Sequence, residues 1–287
     1  MTSHCGRYVV VYNGEIYNHP ELRRSLGELP WRGHSDTETL LALFTRHGVV
    51  ESLPLLVGMF AFAVWDRDTC TLTLARDRMG EKPLYWGRLG DEGIAFGSEL
   101  RALQAHPGWR GEVDRDALAL LMRRNCIPAP HSVWRGIHKL EPACWVRLQR
   151  DDGGGTGAIA QGCYWDLAQR SLLAMGAPLH LSDAEATDRL EQMLGEILRG
   201  QMLADVPLGA FLSGGVDSST IVALMARQSE HKVRTFCIGF SAGATSEAEH
   251  ARAVARHLGT DHTELIVGPG DALALVPRLA KLYDEPF

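Results

Sequence analysis

The chain has 287 residues, which predicts two domains at the usual size of about 150 residues each. Hydrophobic residues make up 45% of it and charged residues 22%, so the composition argues against a disordered or fibrous protein. The formal net charge is −6 and like charges do not cluster, which argues against nucleic acid and anionic membranes as partners. We therefore expect small molecules or other proteins as partners.

Cysteine usage and hydropathy indicate the compartment. The six cysteines are scattered without a C-x-x-C pair, at a density far below that of a disulfide-stabilised scaffold, so we predict free thiols in a reducing environment. The longest uncharged apolar run, residues 53–65, is shorter than the roughly 20 residues of a membrane-spanning helix. Because the amino terminus also lacks an apolar signal core, the sequence predicts a soluble, cytoplasmic protein.

The first half of the chain alternates short β-rich runs with turns, which is typical of stacked antiparallel sheets. Two helices are predicted among them, one at residues 19–26 and one starting at Ser35, where Ser35 and Glu38 have the spacing of a capping box. These elements predict an α+β fold for this half. The predicted strands are residues 8–12, 59–65, 71–75, 83–86 and 93–96.

A glycine-rich stretch, residues 151–157, follows this half and predicts a linker that divides the chain. Beyond it, strands and helices alternate regularly, which predicts a parallel sheet with right-handed crossovers. The first helix there has its apolar residues on one face, namely Leu190, Met193, Leu194, Ile197 and Leu198. The predicted helices are residues 184–203, 218–228, 246–258 and 271–283, and the predicted strands are residues 208–212, 233–240 and 264–267.

The turn after strand 208–212 is the first candidate site, because ligands of parallel α/β sheets bind at the carboxyl ends of the strands. It reads Leu212-Ser213-Gly214-Gly215-Val216-Asp217-Ser218-Ser219. Glycines let the backbone approach an anion closely, serines offer hydroxyl donors, and the next helix offers free N–H groups, so the turn predicts a phosphate cradle. The absence of a lysine after the glycines argues against a Walker-type loop. An ordinary glycine-rich turn with a serine cap is the alternative.

Residues 213–218 resemble the S-G-G-x-D-S loop of the ATP pyrophosphatases, which cleave ATP between the α- and β-phosphates. The preceding residues 205–212 resemble one branch of that superfamily, the glutamine-hydrolysing asparagine synthetases. The resemblance implies that ATP binds at this loop and that Asp217 holds a Mg²⁺ bridging phosphate oxygens. The implied ATP-binding residues are Leu212, Ser213, Gly214, Gly215, Asp217, Ser218, Ser219 and Ile238.

Residues 12–18, with the sequence Tyr-Asn-Gly-Glu-Ile-Tyr-Asn, resemble the glutamine-site signature of class II amidotransferases. The resemblance implies that Asn13 and Gly14 are catalytic and form an oxyanion hole. It also implies that Glu15 holds the backbone groups of glutamine and that Asp36 binds its α-amino group. Two plainer alternatives stay open, a hairpin turn at Asn13-Gly14 and an acid at Asp36 favoured only by the helix dipole. The family-like residues 76–85 and 96–103 are assigned to the scaffold.

The sequence departs from this family at both ends. The family's nucleophile is a cysteine directly after the initiator methionine, activated by its own α-amino group. Cys5 lies only seven residues before Tyr12, whereas the family places its cysteine far upstream, so Cys5 is not expected to be the nucleophile. Residues 284–287 match the point where the family continues into a second loop with aspartate-site and metal-site acids. We therefore expect a fragment truncated in both domains, without glutaminase activity and with little or no synthetase activity.

The resemblance implies glutamine-dependent asparagine synthesis through a β-aspartyl-adenylate, with glutamine, aspartate and ATP as substrates and Mg²⁺ as the metal. Two alternatives remain, a related adenylating ligase with a relic amidotransferase half, as in β-lactam-forming synthetases, and a non-catalytic nucleotide-binding chain. The expected fold is an αββα amino-terminal-nucleophile sandwich at residues 1–163, followed by an α/β parallel-sheet ATP-pyrophosphatase domain at residues 180–287. The oligomeric state stays open, with a homodimer as one option.

Overall fold

A computed structural model describes residues 1–90, 93–150, 156–241 and 247–286. Contacts divide the chain into two compact units. Unit 1 comprises Met1–Ala177 together with Ala280–Phe287, and unit 2 comprises Pro178–Leu279. The chain therefore leaves unit 1 once and returns to it near the carboxyl end. None of the helices in the described part of the chain combines the length and apolar composition that a bilayer crossing needs.

Unit 1 contains two antiparallel sheets. The five-stranded sheet has the order β1-β2-β3-β7-β8, with β1 Tyr8–Ile16, β2 Gly58–Asp66, β3 Thr71–Arg76, β7 Cys144–Arg150 and β8 Thr156–Cys163. The three-stranded sheet has the order β5-β4-β6, with β4 Tyr85–Arg88, β5 Ile94–Gly97 and β6 Ile137–Lys139. The helices are α1 His19–Leu26, α2 Asp36–His47, α3 Val49–Ser52, α4 Leu100–Gln104, α5 Arg115–Arg124 and α6 Leu167–Met175.

Three apolar layers hold these elements together. The first, around Phe44 and Phe60, lies between helices α1 and α2 and the five-stranded sheet. The second, around Leu74 and Leu84, lies between the two sheets, and the third, around Leu100, lies between the smaller sheet and helices α4 and α5. The order is therefore helix, sheet, sheet, helix, which confirms the predicted αββα sandwich. Strand β2 is apolar on both faces because both faces are covered.

Unit 2 is built around a parallel sheet, as predicted. Its order is β11-β10-β9, with β9 Gly209–Phe211, β10 Arg234–Phe240 and β11 Asp261–Val267. The helices of the unit are α7 Asp183–Gln201, α8 Val216–Gln228, α9 Glu247–Leu258 and α10 Pro269–Leu275. Helices α8 and α9 pack on the sheet through a core that includes Leu212, Val222 and Ala251. Ser246, the predicted cap of α9, lies outside the described residues.

Two helical predictions differ from the structure. The segment predicted as one helix over residues 271–283 is α10, then a 3-10 turn at Val276–Arg278, then α11 Leu279–Leu282. Pro277 explains the break, because proline lacks an N–H and its ring clashes with the preceding turn. The predicted apolar face of α7 is only partly buried, because Leu194 and Leu198 pack in the core while Met193 is 50% exposed.

The glycine-rich stretch does not divide the chain, so that prediction is wrong. Strand β7 ends directly before it, β8 begins at its last two residues, and the two strands pair with each other in antiparallel register. The stretch therefore connects two neighbouring strands of one sheet within unit 1. Residues 151–155 themselves lie outside the described residues.

The prediction that all six cysteines are free thiols is also wrong. Cys144 and Cys163 lie directly opposite each other on β7 and β8 and form a disulfide. The two residues are 19 positions apart, and only the pairing of the strands brings them together. Cys5, Cys70, Cys126 and Cys237 are free thiols.

Reduction of this disulfide is expected to lower the free energy of unfolding by about 3 kcal/mol, because it releases a closed loop of this length in the unfolded chain. Urea unfolding with and without dithiothreitol measures the effect. Cys144→Ser should reproduce it, whereas Cys70→Ser, at an exposed free cysteine, should not. Alkylation of the denatured chain should label two more cysteines after reduction than before, and equal labelling would contradict the disulfide.

Candidate functional site

Asn13 and Gly14 lie inside strand β1, so the alternative of a hairpin turn there is wrong. The N–H and C=O of Val10 on the same strand bond Met1 at the outer edge of the sheet, both at 2.8 Å. Gly14 is four residues further on and therefore has its N–H on the same edge. Its partner Phe60 supports this, because the N–H and C=O of Phe60 both bond Asp77 on the far side. Among the described residues, no strand pairs with β1 at Gly14 on that edge.

Only glycine fits at position 14. A Cβ there would lie 2.2 Å from the carbonyl oxygen of Met59 and 2.7 Å from the Cα of Phe60, both backbone atoms of β2. The neighbouring Asn13 side chain is exposed, and its Nδ2 donates to the Ser98 hydroxyl at 3.0 Å. An N–H group and a side-chain amide therefore stand side by side at an accessible sheet edge, an arrangement suited to a developing oxyanion.

Asp36 is the first residue of helix α2, whose N-cap Ser35 accepts a hydrogen bond from the N–H of Glu38. Its Oδ2 accepts two hydrogen bonds from β1, one from the Tyr12 hydroxyl at 2.6 Å and one from the Ile16 N–H at 3.0 Å. The half-buried carboxylate is thus fixed beside the segment that carries Asn13 to Glu15. These bonds go beyond what a helix-dipole role requires, and the structure brings Asn13, Gly14, Glu15 and Asp36 together.

Glu38 does not complete the predicted capping box. Its carboxylate turns back to accept from the N–H groups of Arg32 at 2.6 Å and Gly33 at 3.1 Å. Burial opposes ionisation of Glu38, but these two hydrogen bonds, together with the positive charges of Arg23 and Arg32, lower the pKa of the carboxyl. Arg23 also holds this loop by a cation–π contact, because its guanidinium lies 3.9 Å from the centre of the Trp31 ring. The loop that leads into Asp36 is therefore rigidly held.

Cys5 lies far from this constellation, in line with the expectation that it is not the nucleophile. Its Sγ is 3.8 Å from the hydroxyl of Thr45, which lies nine residues after Asp36 on α2 and hence about 13 Å along the helix. On β1, Tyr8 and Asn13 are about 17 Å apart by the rise of a strand, and Cys5 precedes Tyr8. A hydrogen bond with Ser3 lowers the pKa of the Cys5 thiol.

The predicted phosphate loop connects β9 to helix α8. Leu212 is buried and anchors the loop by donating its N–H to the carbonyl of Phe236 at 2.8 Å. Gly214 has a φ of +79°, and a Cβ there would lie 2.6 Å from the Cβ of His250 and 2.7 Å from the N of Ala251. The loop therefore rests directly on helix α9, at a distance that only glycine permits.

Two serine hydroxyls bridge the loop from inside. The Ser213 N–H donates to Ser218 Oγ at 3.2 Å, the Gly215 N–H donates to Ser213 Oγ at 3.3 Å, and the two hydroxyl oxygens are 2.9 Å apart. No side chain among the described residues caps the first turn of α8, so its N–H groups are available to an anion. The loop is thus preshaped, with backbone and hydroxyl donors at a helix N-terminus.

The remaining predicted ATP-binding residues surround this loop. Asp217 is exposed at the second position of α8, where its carboxylate can reach a cation beside the loop. The Ser219 hydroxyl is buried and lacks a hydrogen-bond partner within the described chain. Ile238, which is 49% exposed, lies on β10 two residues after Phe236, the register partner of Phe211. This register brings Ile238 to the carboxyl end of the sheet, next to Ser213.

The acids near the carboxyl end are occupied by structural contacts. Asp284 Oδ2 accepts from the Leu100 N–H at 2.7 Å, at the start of helix α4. Glu285 accepts from the Val133 N–H at 2.9 Å and forms an ion pair with Lys139. These contacts lie within unit 1. Phe287 lies outside the described residues.

Comparison with known families matches both units. The family model of a glutamine amidotransferase domain matches residues 1–159, and that of asparagine synthase matches residues 189–287. The chain belongs to the glutamine-hydrolysing asparagine synthetase family. This synthetase-family chain is 32% identical to asparagine synthetase [glutamine-hydrolyzing] 1 of Bacillus subtilis over 98% of its length. It is 35% identical to a putative asparagine synthetase of Mycobacterium tuberculosis, also over 98% of its length.

Both relatives are longer proteins, and this chain spans 42% of the length of each. Among solved structures, glutamine phosphoribosylpyrophosphate amidotransferase from B. subtilis, complexed with ADP and GMP, is 16% identical. That comparison covers 99% of this chain and 75% of the other, with a TM-score of 0.39.

Proposed function

We propose that the whole protein makes asparagine from aspartate, with ATP as the activating substrate and glutamine as the nitrogen donor. ATP adenylates the β-carboxylate of aspartate and releases pyrophosphate, and ammonia from glutamine then displaces AMP. The chain matches a glutamine amidotransferase domain and an asparagine synthase domain, one for each half-reaction, which supports the proposal. The proposed domains are residues 1–163 for glutamine hydrolysis and residues 180–287 for adenylation, and the proposed location is the cytoplasm.

The observation that carries the proposal is the loop between β9 and α8. It combines backbone N–H groups, two bridging serine hydroxyls and an exposed aspartate at one helix N-terminus. Without a Walker lysine, charge on the phosphates has to be neutralised by a cation, and Asp217 is proposed to hold Mg²⁺ there. Mg²⁺ would stabilise the leaving pyrophosphate, while the loop donors orient the triphosphate.

The glutamine-binding part of the proposal rests on the edge of β1. The Gly14 N–H and the Asn13 amide are proposed to stabilise the oxyanion that forms when the glutamine side-chain amide is attacked. Asp36 is proposed to bind the α-ammonium of glutamine by a charge-assisted hydrogen bond, and Glu15 to hold its backbone groups.

The proposal is tested by aspartate-dependent exchange of radiolabelled pyrophosphate into ATP in the whole protein. The double change Ser213→Ala and Asp217→Ala is expected to lower the exchange rate by about 100-fold or more, because it removes a bridging hydroxyl and the metal carboxylate. Ser229→Ala, beyond the opposite end of α8, is the control and should leave the rate unchanged. Unchanged exchange in the double variant, or exchange that does not require aspartate, would overturn the proposed reaction.

A further inference from the structure

The two oxygens of the Asp36 carboxylate have different surroundings. Oδ2 is saturated by the Tyr12 hydroxyl at 2.6 Å and the Ile16 N–H at 3.0 Å. Within the described part of the chain, Oδ1 has one long contact of 3.4 Å from the hydroxyl of Thr37. Two short bonds on one oxygen fix the plane of the carboxylate and leave the other oxygen for a further donor.

We infer that Tyr12 is a positioning residue for glutamine, holding the Asp36 carboxylate so that Oδ1 faces the α-ammonium group. This inference rests on the proposed glutamine site and adds to it a residue that acts through Asp36. Tyr12 is adjacent to Asn13 on β1, so one strand fixes both the oxyanion donors and the ammonium acceptor. The distance between the two ends of the bound glutamine is thereby set by a single rigid element.

The environment of Tyr12 suits this role. Its ring is partly buried against the core between β1 and the helices α1 and α2, which restricts its rotation. Burial, and then the hydrogen bond to Asp36, raise the pKa of the Tyr12 phenol far above its usual value. The hydroxyl therefore keeps its proton and stays a donor at all physiological pH values.

Tyr12→Phe removes one oxygen and tests the inference by ligand titration of the 287-residue chain, followed by NMR. Two ligands are compared, L-glutamine and 4-carbamoylbutanoate, which is glutamine without its α-amino group. The variant is expected to bind glutamine about 10-fold more weakly, because a hydrogen bond to a charged group is lost, and to bind 4-carbamoylbutanoate within about 2-fold of the original chain. Tyr8→Phe, on the same face of the same strand and without contact to Asp36, should change neither.

A second cycle separates positioning from a general structural effect. In an Asp36→Asn background, the Tyr12→Phe change should weaken glutamine binding further by less than about 2-fold, because the effect of Tyr12 on glutamine passes through Asp36. Replacing Tyr12 with 4-aminophenylalanine keeps a donor at the ring and should restore most of the glutamine affinity. This rescue variant also keeps the test decisive if Tyr12→Phe lowers the melting temperature.

The outcomes distinguish the inference from the proposed function. If the original chain binds glutamine and Tyr12→Phe weakens the binding of both ligands equally, Tyr12 is not a positioning residue, although the glutamine site stands. The same conclusion follows if Tyr12→Phe weakens the binding of neither ligand. If the original chain does not bind glutamine at all, the glutamine site and the role of Tyr12 both fall.

Discussion

Asp77→Ala is expected to lower the free energy of unfolding of unit 1 by about 3–5 kcal/mol. Asp77 is fully buried, and its carboxylate accepts four backbone hydrogen bonds. Oδ1 accepts from the N–H groups of Met79 at 3.1 Å and Glu81 at 2.9 Å, and Oδ2 accepts from those of Phe60 at 3.1 Å and Lys82 at 2.9 Å. Alanine would remove the acceptor of all four N–H groups, and the N–H of Phe60 would be left buried without one.

Urea unfolding, followed by circular dichroism, measures this loss. Asp77→Asn should also destabilise, by about 2 kcal/mol or more, because its NH₂ group would face two N–H donors. Asp68→Ala is the matched control, since the Asp68 side chain is 66% exposed and pairs with Arg7 only at the surface. It should change stability by less than about 1 kcal/mol. A loss below about 1 kcal/mol in Asp77→Ala would contradict the structural role.

The Asp77 cluster also affects the candidate glutamine site. Phe60, which Asp77 holds by both backbone groups, lies opposite Gly14 on the neighbouring strand. Loss of the buried carboxylate would therefore loosen β2 where it supports the proposed oxyanion donor. The scaffold role that the family-like residues 76–85 were given from the sequence agrees with these contacts, although no sequence pattern indicated how directly they support β1.

Local patterns predicted the elements whose burial depends on near neighbours in the chain. Helix α1 was predicted with its observed ends, and Gly259 marks the end of α9 as expected. The Asn13-Gly14 pair was ambiguous, because the same dipeptide is favoured in a hairpin turn and tolerated in a strand whose neighbour approaches closely. The structure decides between the turn and the strand, because a Cβ at Gly14 would lie 2.2 Å from the backbone of the neighbouring strand β2.

Features that depend on the pairing of strands distant in the chain could not be predicted from the sequence. The disulfide requires the pairing of β7 with β8, and the glycine-rich stretch looks like a linker until those strands are seen to pair. The hydrogen bond from Tyr12 to Asp36 joins residues 24 positions apart on a strand and a helix. The sequence motif contains Tyr12 but does not indicate its bond to Asp36, and nothing local relates Asn13 to its partner Ser98, which is 85 positions away.

Gly214→Ala is expected to weaken binding of Mg-ATP by at least about 30-fold and to destabilise unit 2 by about 3 kcal/mol. Part of the cost is the φ of +79°, which an alanine adopts only with strain. The larger part is the clash of its Cβ with His250 and with the backbone N of Ala251, so the loop and helix α9 have to separate. That displacement would move the donors of Ser213 and Gly215 away from the proposed position of the phosphates.

Gly259→Ala separates these two causes, because Gly259 has a similar φ of +68° but no atom of the described residues within 4 Å of the added Cβ. Gly259→Ala should lower the free energy of unfolding by the backbone strain alone, about 1–2 kcal/mol, and should leave Mg-ATP binding unchanged. Titration with a fluorescent ATP analogue in the presence of Mg²⁺ gives the affinities, and urea unfolding gives the stabilities. Equal effects of the two variants on both quantities would mean that the close contact of the loop with α9 does not shape the proposed nucleotide site. A loss confined to Gly214→Ala would assign the preshaping of the loop to helix α9, since the backbone conformation is common to both positions.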